Sequence, residues 1–119
     1  MFQIKRVYEP KADSDGLRVL VDRLWPRGLT KEVAAVDVWL KEIAPSDGLR
    51  RWFHQDMQDW AEFRRLYLEE LQQNKEAVQV AFKLAEKGKV SLLYGAKDPE
   101  HNHAIVLLDY LRSVEAAKA

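Results

Sequence analysis

Apolar and polar positions alternate in the first part of this chain and recur at helical spacing in most of the rest. Phe2, Ile4 and Tyr8 oppose Gln3, Lys5 and Val7, which predicts a strand over residues 2–8. Pro10 and the polar run to Gly16 follow as a loop with an Asp15-Gly16 turn. Arg18 to Arg23 predicts a second strand, with Val19 and Val21 on one face and Leu20 on the other. The loop before it is too short for a crossover helix. The second strand therefore pairs antiparallel with the first or sits beside a different neighbour. Thr30 suits a cap on a short helical turn through Ala35, and Val36, Val38 and Leu40 alternating with Asp37, Trp39 and Lys41 predict a third strand over 36–43.

Beyond Ala44 the spacing changes. Ser46 can cap a helix carrying Leu49, Trp52 and Phe53. After the polar break at His54-Gln55-Asp56, either Asp56 or Asp59 starts a helix whose stripe is Trp60, Phe63, Tyr67 and Leu71. Asn74 suits the cap of another, striped by Ala77, Val78, Ala81, Phe82 and Ala85 and stopped at Lys87-Gly88. Val90 to Tyr94 is a continuous apolar run between Gly88 and Gly95, as expected of a strand buried on both faces. The last helix buries Ala104, Leu107, Leu108, Leu111 and Val114, with fraying expected from Glu115 onward. The expected fold is one α/β domain over residues 1–119. It is a three-layer arrangement with a mostly parallel four-stranded sheet flanked by helices, the direction of the first strand being open.

Composition narrows the chemistry. Lys plus Arg and Asp plus Glu both number 19, so no overall field draws in a polyanion. A nucleic-acid role is not favoured, although a local basic patch survives a neutral total. There is no cysteine, which removes disulfides, thiolate nucleophiles and thiolate-ligated metal centres. The stretch MFQIKRVYEP has no apolar core of signal-peptide length, and no later run is long enough to span a bilayer. A cytoplasmic location and no membrane partner are the expectation. No Gly-rich phosphate loop and no GxSxG elbow is present, and no cofactor is implied.

Ligands of open α/β sheets gather at the C-terminal ends of strands. The second strand is followed by Asp22, Arg23, Trp25 and Arg27, the third by Pro45, Ser46, Arg50, Arg51, Trp52 and His54. The fourth ends at Tyr94 and is followed by Lys97, Asp98, His101, Asn102 and His103. If the three strands run parallel, all three groups share one edge. Asp98-Pro99 fits a helix start, Asn102 is the competing cap one turn later, and either opens a helix N-terminus beside Lys97 and two histidines. Arg23 and Arg27 form a candidate fork for phosphate or carboxylate. Arg23 also has a structural reading as ion-pair partner of Asp22, Glu32 or Asp37. Arg27, between Pro26 and Gly28, has fewer such partners and is the better candidate. Trp60 and Trp52 belong in the core, Trp25 can wall a pocket, and Trp39 is better placed in the core than at a ligand. His54-x-Asp56 and His101-x-His103 lack zincin spacing, so a metal is the weaker reading.

The blocks RVLVDRLWPRGLTKE, D-x-W-x-K-E-x-APS-x-x-LRRWF and SLLYGAKDPEHNHAIVL resemble the YeaO-like family of small bacterial proteins of unknown function over nearly the whole chain. The resemblance implies an α/β domain, a bacterial or archaeal cytoplasmic source and no assigned activity. A broader group is similar in pairing a strand-end Asp-x-Arg block with a cysteine, histidine and arginine loop near the C-terminus. Here Asp22-Arg23 is kept, while Tyr94, His101 and His103 stand where cysteines are expected, so thiol chemistry cannot operate. The residues read most directly as an enzyme site for a small anionic, phosphorylated or nucleotide-like ligand. Asp22, Asp98 and His103 would handle protons. Arg23, Trp25, Arg27, Arg51, Tyr94 and Asn102 would bind the substrate. The alternatives are a non-catalytic nucleotide- or RNA-binding module and a protein-interaction domain, with the oligomeric state open.

Overall fold

The computed structural model describes residues 1–55 and 59–118. Its elements run β1 (Phe2–Arg6), β2 (Leu17–Leu20), α1 (Lys31–Ala34), β3 (Val38–Trp39), α2 (Asp47–Gln55), α3 (Trp60–Gln73), α4 (Lys75–Leu84), β4 (Val90–Tyr94) and α5 (His103–Lys118). The four strands form one sheet in the order β1-β4-β2-β3. Every pairing is parallel, with Phe2 beside Val90, Val19 beside Leu92 and Val19 beside Val38. The fold is α/β, and the first strand runs with the others. Its short connection leads to a non-adjacent position because β4 inserts between β1 and β2. Gly16 makes that connection possible. It sits at φ +65°, and a Cβ there would lie 2.3 Å from the Lys89 carbonyl oxygen.

One sheet face carries Phe2, Val19, Val21, Val90, Leu92 and Tyr94, packed against Phe63, Tyr67 and Leu71 of α3, Val78 of α4 and Leu107 and Leu111 of α5. The other face buries Val7, Leu20 and Leu93 under Ala34, Trp25, Leu29 and Val36, all from the β2–β3 connection or its short helix. Beside them lies a buried polar cluster. Arg18, fully buried, donates to Asp15 at 2.7 Å and to the carbonyls of Ala34 at 2.8 Å and Ala35 at 3.0 Å. Lys5 reaches the same carboxylate at 2.9 Å. Burial alone would raise the Asp15 carboxyl, but the Ala12 amide, Lys5 and Arg18 outweigh it and hold the group at about 2.

Strand boundaries differ from the alternation. β1 ends at Arg6, β2 at Leu20, and β3 is two residues long. Leu40 leaves extended backbone and a 3-10 turn occupies Lys41–Ile43, so the apolar residues there fill the core from a turn rather than a strand. The caps behave locally. Thr30 accepts the Val33 amide, Ser46 the Leu49 amide and Asp59 the Glu62 amide. Asp56, the other candidate start, lies outside the described residues. Asn74 stands before α4 but spends its side chain on the Glu42 carbonyl at 2.7 Å. Trp60 and Trp52 are half-buried against the core. Trp39, expected inside, is 38% exposed, because a parallel edge strand of two residues leaves its outer side uncovered.

Candidate functional site

Parallel strands end on the same edge, and the loops after β2, β3 and β4 enclose a cavity of about 500 Å³ there. Of the candidate residues, Asp22, Arg23, Trp25, Arg27, Asp98, Asn102 and His103 line it. Two do not. Tyr94 is buried in the core cluster, its phenol raised by burial and by Glu9. Arg51 points away on α2, 66% exposed and 3.8 Å from Asp47. One residue turns a helix by about 100°, and it is Arg50 that faces the cavity. Tyr8, Phe53, His54, Phe63, Lys97 and His101 also contribute lining.

The floor is built on Asp22. Oδ2 accepts the Gly95 amide at 2.9 Å, an approach a side chain at Gly95 would obstruct, since its Cβ would lie 2.9 Å from that oxygen. Oδ1 is buried and has no hydrogen-bond donor of its own among the described residues. Its polar neighbour is His103, whose Nε2 stands 3.2 Å away and points at the Val21 carbonyl at 2.9 Å. A carbonyl can only accept, so Nε2 carries the proton and Nδ1 is left free on the neutral ring. The His103 ring stands 6.2 Å from the buried Tyr67 ring, whose hydroxyl donates to the Ile43 carbonyl at 2.7 Å.

Arg23 is half-buried at the wall. Nε donates to the Pro45 carbonyl at 3.2 Å and Nη2 to the Ala44 carbonyl at 3.1 Å. The alternative structural ion pair with Asp22, Glu32 or Asp37 does not form among the described residues. Two neutral carbonyls hold the guanidinium plane, while Nη1 makes no hydrogen bond among the described residues. Arg27 is exposed at the mouth without a side-chain partner among the described residues, and its carbonyl accepts the Tyr8 hydroxyl at 2.8 Å. Trp25 donates to the Leu29 carbonyl at 2.7 Å and meets Trp39 edge-on at 5.5 Å, while Trp39 donates to the Asp22 carbonyl at 2.7 Å. These bonds shape the β2–β3 loop around the cavity.

The loop after β4 settles its own competition. Asn102, buried, accepts the Ile105 amide at 3.1 Å and donates to the Asp98 carbonyl at 3.0 Å, so it caps α5 and has little left for a ligand. Asp98 accepts the amides of Glu100 at 2.9 Å and His101 at 3.2 Å, closing a turn around Pro99. Its other oxygen lies 3.0 Å from His101 Nδ1. The Glu100 amide and His101 hold the carboxyl below its ordinary range. The His101 ring meets Trp60 edge-on at 5.2 Å.

Arg50 was detectable from helix spacing: it lies about 60° from Phe53 around α2, whereas Arg51 lies about 160° from it, and Arg50 also reaches Asp47 at 3.4 Å. Tyr8 became accessible only through the direction of β1. Among the described residues no three His, Asp or Glu side chains are placed to hold a metal ion. A second concavity, of about 560 Å³ between α2 and α3, is rimmed by Glu62, Glu69 and Glu70. Those carboxylates are engaged by Arg65 and Ser46.

Residues 1–119 match DUF488-N3i, described as the inactive DUF488-N3 subclade. The chain is 51% identical to the Escherichia coli uncharacterized protein YeaO over 94% of its own length and 97% of that protein's. It is 37% identical to an uncharacterized protein of Mycobacterium tuberculosis, and equally to one of Mycobacterium bovis, over 92% of each chain. No solved structure matches.

Proposed function

As the chain belongs to the DUF488-N3 family, in the subclade described as inactive, we propose that its cavity is a binding site for a small anionic, phosphorylated or nucleotide-like ligand. The observation that carries this reading is Arg23. A half-buried guanidinium ordinarily has a carboxylate partner, because desolvating a charge costs several kcal/mol. Among the described residues Arg23 has two carbonyls instead, which orient it without cancelling its charge. An anion entering the cavity would meet a cation already ordered for it. Arg27 and Lys97 add positive charge at the mouth, and Trp25, Phe53 and Tyr8 offer apolar surface for a ring. The catalytic reading draws on a different observation, the Asp22–His103 pair, and assigns proton handling to it and to Asp98.

Calorimetric titration with phosphate and with nucleoside monophosphates tests the binding. Arg23→Ala should weaken it by about ten- to a hundredfold, as loss of charge-assisted hydrogen bonds does. Arg27→Ala should weaken it less and leave the melting temperature unchanged, and Arg27→Lys should recover part of the loss. Wild-type protein that binds none of these anions at millimolar concentration would overturn the proposal.

A further inference from the structure

Among the described residues two buried side-chain polar atoms have no hydrogen-bond partner, Asp22 Oδ1 and Arg50 Nε, and both residues line the cavity. All three histidines of the chain line it as well. The charges there divide by depth. Asp22 and Arg23 after β2, Arg50 on α2 and His103 at the start of α5 are half-buried. Arg27 beyond them, His54 at the end of α2, and Lys97, Asp98 and His101 after β4 are exposed and screened by water. Arg23 spends two nitrogens on neutral carbonyls, and Arg50 reaches the exposed Asp47 only at a long 3.4 Å. With His103 neutral, the inner group holds two guanidiniums against one carboxylate. That surplus matches a monoanion. A ligand carrying two charges leaves one uncompensated among Trp25, Phe53 and Phe63, where an unpaired charge is costly.

His103 can supply the missing charge. Nε2 already holds its proton on the Val21 carbonyl, so a further proton goes to Nδ1. The imidazolium then stands 3.2 Å from Asp22 Oδ1 and gives that unpartnered oxygen a cation beside it. We propose that the cavity recognises a dianionic head group, a phosphate monoester or its sulfate mimic, and that His103 takes up one proton from solvent as the dianion binds. This rests on the anion-binding reading above and narrows it. A phosphate monoester is a dianion above about pH 6, whereas carboxylates and phosphodiesters carry one charge, bind without the proton and bind more weakly. The proton stays on the ring, so the assignment is one of recognition and agrees with the subclade's description as inactive. Imidazoles are the side chains that ordinarily change charge between about pH 5 and 8, and His103 is the one of the three set inside. Tyr67 of α3, 6.2 Å from the ring, has its phenol raised by burial and stays neutral, and Tyr8 beyond β1 donates its hydroxyl to the Arg27 carbonyl.

Sulfate is the probe, because it remains a dianion throughout the range in which imidazoles titrate. Calorimetric titration of wild-type protein in buffers of different ionisation enthalpy counts the protons taken up. About one proton per sulfate is expected on the alkaline side of the imidazole range, with affinity falling by up to about tenfold per pH unit as the ring loses its proton. Acetate should bind more weakly and take up none. His103→Gln, whose side-chain amide can still donate to the Val21 carbonyl, should abolish the uptake and flatten the pH dependence, leaving the weak binding of alkaline wild type. Long-range proton–nitrogen spectra of wild-type protein give a readout that does not depend on the variant folding: saturating sulfate should move one imidazole of the three to its charged form. Sulfate that binds without proton uptake, or no more tightly than acetate, overturns the proposal, as do three imidazoles unchanged by saturating sulfate. Uptake that persists in folded His103→Gln overturns the assignment to that ring. In each of these cases phosphate that still binds leaves the anion site standing. Absence of binding by both sulfate and phosphate overturns both readings.

Discussion

Asp15→Asn is the substitution that most directly tests how this fold is held together. The carboxylate is 2% exposed and is the anionic partner of Arg18, which is fully buried. Removing its charge leaves the guanidinium with the Ala34 and Ala35 carbonyls alone. Breaking a buried pair from one side costs about 3–5 kcal/mol, because the remaining charge is uncompensated. The pH dependence supplies an independent figure. In the folded chain the carboxyl sits at about 2 against a reference of 3.8. At ~1.4 kcal/mol per pKa unit that difference is worth about 2 kcal/mol. A depressed carboxyl stabilises fully above its unfolded value, and the contribution is lost as pH falls from about 4 through about 2. Urea denaturation at pH 7 should therefore show Asp15→Asn less stable by about 3–5 kcal/mol, and the gap should narrow by about 2 kcal/mol as pH approaches 2. Lys5→Met is the comparison. Lys5 is 17% exposed and its loss leaves the Asp15–Arg18 pair intact, so the cost should fall below that of Asp15→Asn, in the ~1.5–3 kcal/mol of a hydrogen bond between charged groups. An Asp15→Asn protein within about 1 kcal/mol of wild type, or a gap independent of pH, would refute the reasoning.

Other outcomes rest on particular geometries. Gly16→Ala should lose at least about 2 kcal/mol in the same assay, since left-handed backbone and overlap with the Lys89 carbonyl add together. Trp60→Ala should cost about 2 kcal/mol, less than the ~3–5 of a fully buried aromatic, because the indole is half-buried. Near-ultraviolet dichroism should change with it through the stacked Phe63 ring at 5.6 Å and the edge-on His101. An unchanged denaturation midpoint would show that the indole contributes no packing.

Most of the cavity is legible in the residues that directly succeed each apolar run. Asp22, Arg23 and Trp25 come just after β2, and Asp98 to His103 just after β4. The choice of arginine is less accessible. Arg27 is the freer of the two by sequence because it sits in a Pro-Gly turn, and it is indeed exposed. Yet Arg23 is the ordered one, and its order comes from carbonyls at Ala44 and Pro45, about twenty residues away along the chain. For Asn102 the sequence leaves both capping and ligand roles open. Its hydrogen bonds, to the Asp98 carbonyl in the loop and from the Ile105 amide of α5, make it a cap.

By itself the sequence determined the apolar runs, the local caps at Thr30, Ser46 and Asp59, the absence of thiol chemistry and the polar loading of strand ends. These depend on residue type and short spacing, where side chain and backbone are already neighbours. Tertiary structure alone decided that β1 runs parallel and lies across β4 from β2, and hence that Tyr8 reaches the cavity. It also decided the pairing of Asp15 with a buried Arg18, the exposure of Trp39 and the pairing of Asp22 with His103, eighty-one residues later. Contacts of that range depend on strand order. Strand order is set by which faces can be buried together, a property of the assembled sheet that no single segment carries.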